Sequence, residues 1–230
     1  MLCVIATTLG LHVAFTSPNP PLKAADRVIA PTAIEFMLNS SMFPRIQKAL
    51  YWCVAVVEIV TIPTQLGSPP WSQRILTALA FGGEIGAVRL TPFPALGSIL
   101  IVGGAVLRLQ CYRALGKHFT FETGISKNHT LVKTGPYKWA RHPSYAGAVM
   151  VYAGLILYYG SPGTWAMECV FKGSVVGMVF CVLYALMMSL VVLGLLCRMS
   201  KEDEGLRQEF GHEWVAWATE VPYALVPGVF

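Results

Sequence analysis

A few short runs of an otherwise apolar chain gather residues able to do polar chemistry. Arg141-His142-Pro143-Ser144-Tyr145-Ala146-Gly147 gathers a cation, an imidazole, a hydroxyl and a phenol. Proline at the first turn of a helix costs no hydrogen bond, so a helix is expected to start at Pro143, its free N–H groups turned toward an anion such as a carboxylate. Arg198 and Glu202 are spaced i,i+4, which puts them on one helix face. A guanidinium can grip a carboxylate with two parallel hydrogen bonds, and a carboxylate can receive an ammonium. Upstream stand Gly116-Lys117-His118-Phe119-Thr120 and His129-Thr130-Leu131-Val132-Lys133-Thr134-Gly135-Pro136-Tyr137. Gly135 suits a tight turn, and Tyr137 and Tyr145 offer flat faces with polar tips that could enclose a purine. Taken singly these signals are weak. A basic loop with aromatics is more often a lipid-headgroup contact, and an i,i+4 Arg–Glu pair is more often an ordinary surface ion pair.

The elements that must position these groups are membrane helices. Of 230 residues 55% are hydrophobic and 13% charged, and mean hydropathy is +0.57. This excludes disorder and an ordinary soluble fold. Apolar runs at 2–15, 49–66, 75–90, 95–111, 144–159 and 173–197 predict an all-α integral membrane protein of about six transmembrane helices. A segment at 29–42, bounded by Pro31 and Pro44, reads as an interfacial helix. No internal repeat and no barrel-like alternation appears. The six cysteines contain no CxxC pair and predict neither a disulfide framework nor a zinc site.

Orientation follows from charge. Residues 113–142 carry Arg113, Lys117, Lys127, Lys133, Lys138 and Arg141 against one acid, Glu122, so this segment is expected on the cytoplasmic side. Lys23, Arg27, Arg45 and Lys48 fall on the opposite side by parity and conflict with it. Charges inside apolar runs are functional candidates. Glu58 reads as a neutral or hydrogen-bonded carboxyl in a helix interface. Arg108 is expected to snorkel to the cytoplasmic face, too far along its helix to pair with Glu84. A helix from 173 to about 208 is roughly 54 Å long and must stand proud of the bilayer. Phe210-Gly211-His212-Glu213-Trp214 and Val221-Pro222 then predict a short aromatic helix packed back on the membrane face.

Together the motifs resemble the protein-S-isoprenylcysteine O-methyltransferase family of the endoplasmic reticulum. The resemblance rests on Leu131-Val132, Gly135-x-Tyr137, Arg141-His142-Pro143-Ser144-Tyr145-x-Gly147, Arg198-x-x-x-Glu202-Asp203 and Phe210-Gly211-x-Glu213-Trp214, across residues 116–227. It implies one membrane methyltransferase domain, with N-terminal spans in 1–112 and a catalytic region in 113–230. The implied methyl donor is S-adenosyl-L-methionine, and the acceptor is the C-terminal carboxylate of prenylated cysteine on small GTPase-like proteins or peptides. A multi-pass position in the bilayer, with a cytoplasmic catalytic face and no nucleic-acid partner, is implied too. By position, His129, Thr130, Leu131, Val132, Tyr137, His142, Pro143, Ser144, Tyr145 and Glu202 would hold the donor. Arg198 would meet the acceptor carboxylate, and Arg198 with Glu202 would form the catalytic pair. Two departures stand out. Glu122 occupies the place of a polar amide, and 38 residues from Ser161 to Arg198 exceed the usual spacing. The rival reading is a phospholipid N-methyltransferase, whose amine acceptor Arg198 would repel. Sterol reductases share part of the C-terminal pattern but have longer chains, and a non-enzymatic membrane scaffold is the remaining alternative.

Overall fold

A computed structural model describes residues 1–20, 42–64, 70–89, 91–121 and 130–229, and within these the chain is helical with no strand. The helices are α1 (Leu2–Ala14), α2 (Met42–Thr64), α3 (Pro70–Leu79), α4 (Pro92–Leu115), α5 (Pro143–Tyr159), α6 (Val175–Phe210) and α7 (His212–Glu220). A π-helical stretch, Ala166–Phe171, joins α5 to α6. The expected interfacial helix lies outside the described residues apart from Met42, which opens α2.

Glycine sets the central contact. On α4, Gly97 and Gly104 are two turns apart; on α5, Gly147 and Gly154 repeat that spacing. A Cβ at Gly104 would stand 2.5 Å from the Gly147 carbonyl oxygen, and one at Gly154 would stand 2.6 Å from that of Gly97. The two backbones therefore touch along their length, the packing by which helices associate where lipid offers no hydrophobic driving force. Helix α1 joins the pair, with Gly10 against Ile101. Leu11, Tyr51, Ile101, Val151, Leu155 and Tyr158 form the buried core among these helices.

Pro143 does open α5, with Pro at the helix start and His142 as its N-cap. Helix α6 runs 36 residues, capped by the Ser174 hydroxyl, which accepts from the Gly177 N–H at 3.0 Å, and ended by Gly211 at φ +51°. That length, about 54 Å at 1.5 Å per residue, exceeds the hydrocarbon thickness as expected. Among the described residues, two helical stretches are long and apolar enough to cross a bilayer, Pro92–His118 and Val175–Phe210. Along α6, Val175, Val176, Leu183, Leu186, Leu190 and Leu193 are all exposed. An apolar face of that length suits lipid rather than water.

One expected span is corrected. The apolar run at 75–90 is not a single helix: α3 stops at Leu79, and the chain turns through Phe81 at φ +48° and Gly82 at φ +88° into a short 3-10 turn, Ile85–Ala87. Packing dictates the break. A Cβ at Gly83 would stand 2.1 Å from the Glu168 carbonyl oxygen, so this turn is pressed against the α5–α6 connection. Glu58, expected as a hydrogen-bonded interface carboxyl, is one. It accepts from the Tyr158 hydroxyl at 2.8 Å and from the Trp165 N–H at 3.3 Å.

Candidate active site

The start of α5 and the end of α6 meet. Both Nε and Nη2 of Arg198 donate to Glu202 Oε1, at 2.8 and 2.7 Å, and the Tyr145 hydroxyl donates to the same oxygen at 2.7 Å. Arg198 Nη1 donates to the Phe121 carbonyl at 2.9 Å, and the guanidinium carbon lies 5.6 Å from the Tyr145 ring centre. The i,i+4 pair predicted from sequence thus forms, but not as a surface pair: Arg198 is 7% exposed. The rings of His142 and Tyr145 stack at 5.5 Å and 7°. One His142 ring nitrogen lies 3.0 Å from Asp203 Oδ1, the other 3.6 Å from Glu202 Oε2.

Asp203 also accepts from Arg141 Nε at 3.2 Å. It sits in the last turns of α6, past the apolar stretch. Partial burial alone would raise its carboxyl, but the bond to His142 and the charge of Arg141 outweigh that and hold it below the ordinary aspartate range. Asp203 is therefore held ionised beside the Glu202 carboxyl group.

The C-terminal strap fixes this corner. Backbone N–H groups of Arg141 and His142 donate to the carbonyls of Tyr223 and Ala224, at 2.9 and 2.8 Å. Arg141 Nη1 adds bonds to the carbonyls of Val221 and Pro222. The C-terminal segment thus holds the two residues that precede Pro143, just ahead of the first turn of α5. Gly135 makes its turn at φ +62°. Tyr137 then packs with Cys111, Trp217 and Val221, backed by Leu131 and Val132. Lys133 pairs with Glu213 of α7 at 3.0 Å.

These groups line one cavity of about 230 Å³. At its polar end stand Leu131, Val132, Tyr137, His142, Ser144 and Tyr145, with Arg198 and Glu202 from α6. Its other end is apolar, walled by Val151, Leu155, Met188, Val191, Val192 and Leu195. Seven of the ten residues expected to hold the donor are gathered there. Thr130 is exposed, and Pro143 faces a separate hollow beside Trp139 and Leu225. His129 and Glu122 lie outside the described residues.

Sequence reasoning missed three contributors. Arg108 does not snorkel: it is 8% exposed and turns inward, Nη1 donating to the Ser144 carbonyl at 3.1 Å. The reason is Gly147, whose missing side chain leaves room for the Arg108 stem. A cation inside an apolar run was the available signal. Phe121 contributes a carbonyl that no side-chain pattern announces. Trp217 lines the cavity and is buried, yet its indole N–H has no acceptor among the described residues.

The phospholipid methyltransferase family model matches residues 93–197, from the first turn of α4 to the residue before Arg198. More particularly, the chain is 30% identical over 140 residues to the protein-S-isoprenylcysteine O-methyltransferase of Mus musculus, covering 60% of this chain and 42% of that protein. The Homo sapiens protein of the same name is 30% identical over 139 residues, with the same coverage. The Saccharomyces cerevisiae one is 41% identical over 54 residues, 23% of each chain. The resemblance read from the motifs is thereby borne out. The match spans less than half the length of the mouse and human relatives.

Proposed function

We propose that this chain is a single-domain, multi-pass methyltransferase of the endoplasmic reticulum membrane that esterifies the C-terminal carboxylate of prenylated cysteine from its cytoplasmic face. The observation that carries the reading is one cavity with two chemistries: an ion-paired, aromatic end continuous with an apolar end walled by α5 and α6. A soluble polar donor and a lipid-tailed acceptor need that combination. Helices at 2–14, 42–64, 92–115, 143–159 and 175–210 would cross or enter the bilayer, with residues 113–142 and the end of α6 on the cytoplasmic side.

The donor set fits S-adenosyl-L-methionine. Glu202 offers a carboxylate for an ammonium, Tyr137, Tyr145 and His142 offer ring faces for adenine, and Trp217 has an unanswered buried N–H that an adenine ring nitrogen would satisfy. Leu131, Val132 and Ser144 complete the wall, with His129, Thr130 and Pro143 assigned to it by the family resemblance. When bound, the donor supplies a methyl group on a positively charged sulfur.

The protein's own task is placement. An α-carboxyl has a pKa near 3.5 and is ionised at neutral pH, so no base is needed. Arg198, fixed by Glu202 and the Phe121 carbonyl, holds the acceptor carboxylate through charge-assisted hydrogen bonds. The apolar walls exclude water from that oxygen and take up the isoprenoid tail. Arg198 and the apolar walls would hold that oxygen in place for the methyl group a bound donor would supply. Detergent-solubilised protein mixed with methyl-labelled donor and either farnesylcysteine or phosphatidylethanolamine tests the proposal. Label is expected in the farnesylcysteine ester. Label in phosphatidylethanolamine instead overturns it in favour of an amine acceptor. With farnesylcysteine as acceptor, Arg198→Ala is expected to lose most turnover while donor binding survives.

A further inference from the structure

Three arginines line the cavity, and two of them have carboxylate partners: Arg198 with Glu202, and Arg141 with Asp203. The third, Arg108, has none within 4.0 Å among the described residues. Its partners are neutral. Nε donates to the Tyr112 hydroxyl at 3.0 Å, and Nη1 donates to the Ser144 carbonyl and hydroxyl at 3.1 and 3.4 Å. The Tyr112 and Phe121 rings lie 5.5 and 5.4 Å from the guanidinium carbon. Among the described residues Nη2 donates to nothing. A buried cation that lacks a counter-ion is costly to keep unless an anion arrives to meet it.

The cavity's charge balance says which anion. Three guanidinium groups against the carboxylates of Glu202 and Asp203 leave one positive charge in excess, and it belongs to Arg108. S-adenosyl-L-methionine is itself a net cation, which that excess repels. A prenylated cysteine terminus brings one net negative charge, which it attracts. Place agrees with charge: along α5 from Ser144, the residue Arg108 grips, the cavity wall continues through Ala148, Val151 and Leu155 into the apolar end. The Arg198 fork is already engaged by Glu202 and Phe121, so Arg198 alone has little left to offer.

We propose that Arg108 is the acceptor-carboxylate counter-ion, closing on it together with Arg198 and setting the enzyme's preference for a free acid over its ester. This rests on the reading of the cavity as a prenylcysteine site. It adds a consequence for turnover: once the acceptor oxygen carries the methyl group it is neutral, Arg108 loses its counter-ion, and product is released rather than held.

The test compares equilibrium binding of N-acetyl-farnesylcysteine, which carries only the carboxylate charge, with that of its methyl ester, followed by quenching of tryptophan fluorescence, with donor affinity measured separately by calorimetry. Wild-type protein is expected to bind the acid at least ten-fold tighter. Arg108→Gln, which keeps donors toward Ser144, should bind acid and ester alike and leave donor affinity within two-fold. Arg108→Lys, which keeps the charge, should restore part of the preference and guards against a fold defect in the first variant. A preference that survives intact in Arg108→Gln overturns the proposal alone. So does a loss of donor affinity with acid preference unchanged, which would assign Arg108 to the donor. Absence of any acid preference in the wild type overturns the prenylcysteine reading and the proposal with it.

Discussion

Adding one methyl group to Gly147 should separate catalysis from stability. In Gly147→Ala the new Cβ would stand 2.8 Å from Arg108 Cγ, 2.9 Å from the Gly104 carbonyl oxygen and 3.4 Å from the Arg108 N. Carbon atoms in good contact sit about 3.5–4.0 Å apart, so α4 and α5 must part, or Arg108 must swing, by roughly 0.7 Å. Overpacking of this size costs about 1–3 kcal/mol, and the helix preference of Ala over Gly returns about 1 kcal/mol, leaving a modest net loss. Turnover should suffer more. Reacting groups tolerate about 0.5 Å of displacement, and a 1 Å error can cost about 100-fold, so 10- to 100-fold is expected here. Gly97→Ala is the control. Its Cβ would meet only backbone, 2.6 Å from the Tyr158 N and 2.8 Å from the Gly154 carbonyl oxygen. No side chain can yield there, so this variant should melt at least as low. It lies 11 residues up α4 from Arg108, about 16 Å at 1.5 Å per residue, and should methylate within a few-fold of wild type per folded molecule. The assay is label transfer to farnesylcysteine, normalised to monodisperse protein, beside a thermal melt in detergent. Full turnover by Gly147→Ala, or an equal loss in Gly97→Ala, would refute the claim that this glycine contact sets the Arg108 position.

Two further changes probe the ends of the molecule. Trp217→Phe removes the unanswered indole N–H while keeping most of the ring, and is expected to weaken donor binding several-fold with little change in melting temperature; unchanged donor affinity in calorimetry would remove Trp217 from the donor's contacts. Glu58→Leu strips the acceptor from the Tyr158 hydroxyl and the Trp165 N–H, each costing about 1–3 kcal/mol when left buried and unpaired. It should lower the melting temperature markedly and leave donor affinity alone, since Glu58 does not line the cavity; a melt equal to wild type would show that both donors find other partners.

The site was more legible than the frame around it. Pro143 announced the start of α5 because a ring that removes a donor is harmless only in a first turn. The length of α6 was visible because apolar and charged residues succeed one another without Gly or Pro until Gly211, apart from Gly177, Gly194 and Gly205, which the helix absorbs. Residues 75–90 misled because hydropathy ignores chirality: a positive φ at Phe81 and the close approach of Gly83 to the Glu168 carbonyl are properties of the packed chain. The paired glycines at 97, 104, 147 and 154 were readable as a seven-residue spacing on two separate helices, but only their contact gives the spacing meaning.

Arg108 shows why a one-dimensional reading failed where it mattered most. Counting residues about the turn before α4 set Arg108 too far along its helix to pair with Glu84, and in the structure it bonds instead to Ser144 in the first turn of α5. Direction was lost, because a side chain snorkels only when nothing nearer will take its hydrogen bonds. Here the Ser144 carbonyl and the Tyr112 hydroxyl do so, across a helix contact that Gly147 keeps close. The same contact that lets two helices touch therefore also retains a charge inside the cavity. A larger residue at 147 would cost little in hydropathy and would release that charge to the surface, which is why a methyl group is the sharpest probe of the site.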